Sequence, residues 1–170
     1  MMRIEKSKSY NITLPAIVAG LYVVISLVFA PLSFGVVQLR FAEMFNHLAA
    51  FNKRYIYALI LGCLIVNLFS PLGIVDVLVG TLGTAIGTIS TYLLTRKTTN
   101  NLTRYTIATL CQIPGVLLVS LELTMISKLP FLLTFGSVLV GEFLSMIVGA
   151  VVIQFLTTRI DFINGKRKAL

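Results

Sequence analysis

Apolar runs follow one another from Tyr10 to Thr158 with almost no polar interval between them. A chain of that kind cannot leave its backbone donors and acceptors exposed to hydrocarbon. Helices, which satisfy their own N–H and C=O groups, are expected. Charged residues make up 12% of the 170 and mean hydropathy is +0.95, whereas a soluble domain carries about 25% charged residues. The reading is an all-α, polytopic membrane protein forming a single domain over residues 1–170. The formal charge of +8 does not point to nucleic acid, because the basic residues sit at the junctions between apolar segments.

Six apolar segments are expected, roughly 10–32, 39–52, 54–69, 72–95, 104–127 and 131–158. A span takes about 20 residues, so the second and third are short and the second need not cross fully. The first is expected to be retained. Arg3, Lys6 and Lys8 precede it and Val28-Phe29-Ala30 resembles a cleavage site, but the run is longer than a signal core and Pro31 would follow the cut. With both termini in the cytoplasm, inner segments hold Arg3, Lys6, Lys8, Lys53, Arg54, Arg96, Lys97, Arg104, Arg159, Lys166, Arg167 and Lys168. The outer side then holds only Arg40 and Lys128, a bias of 12 to 2 that favours six crossings in this orientation. Tyr10, Tyr55, Tyr57, Tyr92 and Tyr105 fall near the inner interface, as an aromatic belt would. Pro114-Gly115 is expected to kink the fifth segment.

Polar residues inside such a chain are costly and therefore informative. Gln38, Arg40, Glu43, Asn46 and His47 recur three or four apart, so a helix gathers them on one broad face. Asn67, Ser70 and Asp76 bracket a Ser-Pro-Leu-Gly turn. Glu122 lies about 8 Å and Glu142 about 16 Å along their segments from the outer ends. Glu43, Asp76 and Glu122 thus share a depth in the outer half, with Glu142 deeper. Arg40 is the obvious intramembrane cation. Such an acidic half suits a small ligand with positive charge or several N–H donors. Each group also has a plainer role. Arg40 and Glu43 can neutralise each other as an i,i+3 pair. Asp76 can brace the Ser70-Pro71 turn, Glu122 can meet interfacial water, and Glu142 can hydrogen-bond a neighbouring helix. His47, Asn67 and Gln112 can serve packing and interhelical bonds.

Enzyme chemistry finds little support. A single histidine excludes an H-E-x-x-H zinc site, and there is no G-x-S-x-G elbow or phosphate loop. Cys63 and Cys111 stand alone, without metal spacing, and read as small buried hydrophobes. No cofactor or metal is expected. Small-xxx-small stripes run through Gly80, Thr84, Gly87, Thr88 and Thr91, through Gly141, Ser145 and Gly149, and through Ala16 and Gly20; internal packing is their default use. No internal repeat supports an inverted-repeat carrier.

Gln38-x-Arg40-x-x-Glu43-x-x-Asn46, then Phe51-Asn52-x-Arg54-Tyr55, Gly62-Cys63 and Asn67-Leu68-Phe69-Ser70-Pro71-Leu72-Gly73-x-x-Asp76, resembles the QueT family. These are substrate-binding membrane subunits (S-components) of energy-coupling factor transporters. The resemblance runs from about Leu14 through the fourth segment and more loosely beyond. It implies a six-helix bundle with an outward-facing pocket, a queuosine precursor as substrate, the aminomethyl-deazaguanine, and as partners a membrane scaffold subunit and two cytoplasmic ATPases. It also implies that Ala16 and Gly20 dock the scaffold, with Gly where the family often has a second Ala. The ligand-binding candidates are Gln38, Arg40, Glu43, Asn46, Asn67, Asp76, Glu122 and Glu142. A guanine-like edge offers two parallel donors to a carboxylate, and the aminomethyl cation wants a second acid. Other cationic heterocycles would suit the same residues. A proton-coupled carrier using Glu142 and Glu122, or an intramembrane enzyme with paired acids, are the competing readings.

Overall fold

The computed structural model describes residues 2–33, 39–164 and 166–167. It is all-α apart from one small hairpin. In order come α1 (Met2–Val28), α2 (Ala30–Ser33), a 3-10 helix (Phe41–Ala50), α3 (Arg54–Asn67), α4 (Ile74–Thr95), α5 (Asn101–Leu110), α6 (Ile113–Ser127) and α7 (Phe131–Thr157). Strands β1 (Ile160–Asp161) and β2 (Lys166–Arg167) close the described chain as an antiparallel pair.

Among the described residues, three stretches are long and apolar enough to cross a membrane: Ile74–Thr95, Asn101–Ser127 and Phe131–Thr157. Ile12–Val28 and Arg54–Asn67 are apolar but shorter. Outward residues such as Leu78, Leu82, Leu132, Ile147, Val151 and Phe155 are exposed large hydrophobics, the surface lipid would cover. Three hydroxyls of α4 are satisfied within it: Thr88, Thr91 and Thr95 each donate to the carbonyl four residues back, at 2.6–2.7 Å.

The fifth segment, expected as one helix over 104–127, is two. Pro114 has no N–H for the carbonyl four residues before it, and the helix breaks at Cys111 and Gln112. Gln112 covers part of the gap by donating from Nε2 to the Ala108 carbonyl at 3.0 Å. The next residue after the proline, Gly115, lies against Gly83 of α4. A Cβ built on Gly83 would come within 3.0 Å of the Gly115 Cα, so the two backbones touch.

The second segment is also not the α-helix expected over 39–52. Phe41–Ala50 is a 3-10 helix, and most of it is buried. Three residues per turn put every third side chain on one edge, and the three edges have different neighbours. Ala42, Phe45, Leu48 and Phe51 enter the main apolar core with Tyr22, Leu59 and Ile153. Met44 and His47 face α7: His47 Nε2 lies 2.8 Å from the Met146 carbonyl, and a Cβ on Gly149 would come within 2.7 Å of the Met44 Cα. Arg40, Glu43, Asn46 and Ala49 form the third edge, and it is the polar one.

The tyrosines expected as an aromatic belt do not share one setting. Tyr57 is exposed, but Tyr55 and Tyr105 are buried. Tyr105 packs on Phe51, and Phe162 of the hairpin has its ring centroid 6.0 Å from those of Phe51 and Tyr55. Asn52 Nδ2 and Arg54 Nη2 both donate to the Ile163 carbonyl, at 2.8 and 2.7 Å, and fasten the hairpin there.

Candidate functional site

The polar edge of the 3-10 helix has an α-helical wall on each side. Arg40 reaches α3, donating from Nη2 to Cys63 Sγ at 3.3 Å and to Asn67 Oδ1 at 3.4 Å. Its Nε lies 3.5 Å from Glu43 Oε1. Glu43 accepts a hydrogen bond from the Tyr22 hydroxyl of α1 at 2.7 Å and another from Asn46 Nδ2. Asn46 Nδ2 also donates to Gln112 Oε1, at 3.2 Å, in the α5–α6 break. The i,i+3 spacing that aligns Arg40, Glu43 and Asn46 is eclipsed on a 3-10 helix, which is why the three side chains meet.

Cys63 does more than fill space. Besides Arg40, its sulfur accepts from Thr84 Oγ1 at 3.2 Å and Asn67 Nδ2 at 3.4 Å. Asn67 Nδ2 also donates to the Asp76 backbone carbonyl at 3.1 Å, tying α3 to α4. The Ser-Pro-Leu-Gly turn is braced by Ser70 and not by Asp76. The Ser70 hydroxyl accepts from Leu72 N at 3.2 Å and the Ser70 carbonyl from Gly73 N at 3.2 Å. Gly73 sits at φ 69°, a conformation that favours glycine. Asp76 lies buried in the first turn of α4, where the helix dipole favours an acid.

Glu122 and Glu142, on α6 and α7, are buried as well. Neither Glu122 oxygen has a hydrogen-bond partner among the described residues, and neither does Glu142 Oε1. Glu43 and Glu142 come together beside Arg40, while Asp76 and Glu122 sit on the adjoining α4 and α6.

A cavity of about 30 Å³ opens within this cluster. Arg40, Glu43, Thr84, Gln112 and Glu142 supply its polar wall, and Val116, Val119 and Val138 its apolar wall. Gly80, Gly83 and Gly115 line the remainder, where missing side chains leave room. The volume holds about one or two waters. A bicyclic heterocycle needs a pocket of roughly 300 Å³ or more, so its entry requires these walls to part.

Of the residues expected at the site, Arg40, Glu43, Asn46 and Asn67 form one bonded network. Glu142 shares the cavity with Arg40 and Glu43, while Asp76 and Glu122 stand off its lining. Gln38 lies outside the described residues. Ala16 and Gly20 face outward on α1, and a Cβ on Gly20 would meet nothing within 4 Å. The glycines of α4 and Gly149 of α7 do the opposite and serve internal contacts. Tyr22 was not among the expected residues, although it holds Glu43. The available signal was its position two residues after Gly20, about 200° around the helix and so on the opposite face.

No solved structure matches the chain. The Queuosine precursor transporter QueT of Lactococcus lactis subsp. cremoris (strain MG1363) is 36% identical over 167 residues, covering 92% of this chain and 98% of that protein. The family model described as QueT transporter matches residues 12–158, which include α3 to α7 and every described residue of the acid cluster. The chain belongs to the QueT transporter family.

Proposed function

We propose that this protein is the substrate-binding membrane subunit of an energy-coupling factor transporter that takes up a queuosine precursor, the aminomethyl-deazaguanine. The observation that carries the reading is the charge balance at the cavity. Glu43 and Glu142 line it with Arg40, and Glu43 already neutralises that cation. The remaining acid, Glu142, suits a ligand that brings positive charge and N–H donors. Val116, Val119 and Val138 offer an apolar face for a flat ring. The name of the Lactococcus relative supports the substrate class.

The outward Ala16 and Gly20 support the partner part of the reading. Small residues on a lipid-facing helix give close approach to another helix, and no element of this bundle occupies that space at Gly20. In this reading they dock a membrane scaffold subunit, and two cytoplasmic ATPases supply the energy. The chain crosses the membrane six times in the plasma membrane, with both termini in the cytoplasm, as the basic bias favours. The test is to purify the chain alone and identify co-purifying small molecules by mass spectrometry, then titrate the aminomethyl-deazaguanine. Tight binding without turnover or transport is expected. Transport by the isolated chain in vesicles would refute the role.

A further inference from the structure

Two acids line the cavity, and they are not equivalent. Glu43 is held by donors of the chain itself: the Tyr22 hydroxyl, the Asn46 amide and the Arg40 guanidinium. Glu142 is 7% exposed and its Oε1 has no hydrogen-bond partner among the described residues. It is thus a buried acceptor on the lining of a polar cavity, with no donor supplied by the described residues. A buried group of that kind is costly to keep unless something external completes it. The nearby cation, Arg40, is already spent on Glu43 at 3.5 Å. The remaining lining groups are neutral: Thr84, Gln112, and the valines and glycines. Glu122, whose oxygens are also unpartnered, stands off the lining.

We propose that Glu142 is the counter-charge for the ligand's aminomethyl group and sets the preference for the cationic deazaguanine over neutral analogues. This rests on the function proposed above and assigns one ligand group to one side chain. The ring is left to the valine wall and to the amide and hydroxyl groups on the opposite side. An ammonium against a buried carboxylate makes charge-assisted hydrogen bonds that a neutral substituent cannot make. Discrimination therefore lies in the amine and not in the ring.

The experiment titrates the full chain in lipid nanodiscs with two compounds. One is the aminomethyl-deazaguanine; the other carries a neutral nitrile in place of the aminomethyl group. Wild type should prefer the amine. Glu142→Gln should weaken amine binding about 10- to 100-fold, the loss of a charged hydrogen bond, and change nitrile binding by less than about threefold. Equal losses for both compounds, or no loss for either, would overturn the assignment. Glu142→Asp keeps the charge and provides a second variant should Glu142→Gln fold poorly. It should lower amine affinity more than nitrile affinity, and parallel changes count against the proposal. Wild type binding both compounds equally overturns the proposal but leaves the substrate class standing. Wild type binding neither overturns both.

Discussion

The 3-10 helix and the α6–α7 wall face each other across one cavity, yet they treat their acids in opposite ways. On the 3-10 helix, Glu43 is bound from three directions by Tyr22, Asn46 and Arg40. On the facing wall, Glu122 and Glu142 keep oxygens that nothing in the described chain satisfies. One side is a finished structural network. The other keeps acceptors without partners among the described residues, which is where the proposed ligand's donors would go. Burial alone does not separate them, since Glu43 and Glu122 are both 4% exposed. What separates them is whether the fold provides donors.

The contrast is broken most forcefully by removing Glu43. Glu43→Ala takes the counter-charge from the largely buried Arg40 guanidinium and the acceptor from the Tyr22 hydroxyl, and breaking a buried pair costs about 3–5 kcal/mol. Thermal unfolding should show a large loss, while Glu142→Gln should leave unfolding nearly unchanged. Equal losses would mean that the two acids are equally structural. A smaller effect is expected where the 3-10 helix meets α7. In Gly149→Val the new Cβ would press on the Met44 backbone, and overpacking of this kind costs about 1–3 kcal/mol. A stable variant would show that the 3-10 helix is loosely seated. Tyr22→Phe removes one hydroxyl and keeps the ring against Gly62, so it should cost about 1 kcal/mol. A neutral result would mean that Arg40 and Asn46 alone suffice to hold Glu43. Gly20→Leu should have the least effect on stability, because the space around it is open. Recovery of the scaffold subunit should nevertheless fall sharply, and unchanged recovery would place docking on another surface.

Much of this architecture was legible in the residues. The boundaries of α3, α4 and α7 follow from where apolar runs stop at Ser70-Pro71, Arg96-Lys97 and Pro130. Pro114 marked the break in the fifth segment, because a missing N–H acts locally. The 3-10 geometry of the second segment was not legible, since residues three apart share a face on either kind of helix. The four acids were readable as a cluster but not as two kinds. Their difference comes from partners far away in sequence, Tyr22 on α1, which donates to Glu43, and Gln112 at the α5–α6 break, which accepts from Asn46, and only tertiary packing brings those to the 3-10 helix. Cys63 likewise read as a small hydrophobe, because the Arg40, Asn67 and Thr84 donors that converge on its sulfur come from three elements.

The central claim is that the aminomethyl-deazaguanine binds in the cavity between the 3-10 helix and α4, α6 and α7. A structure of the full chain determined with that compound tests it most directly. One molecule per chain is expected, its ring against Val116, Val119 and Val138, its amine at Glu142, and the Glu43–Arg40 pair intact beside it. A molecule bound away from this cavity, or a cavity still at its closed volume with ligand saturating the sample, would rule this binding site out.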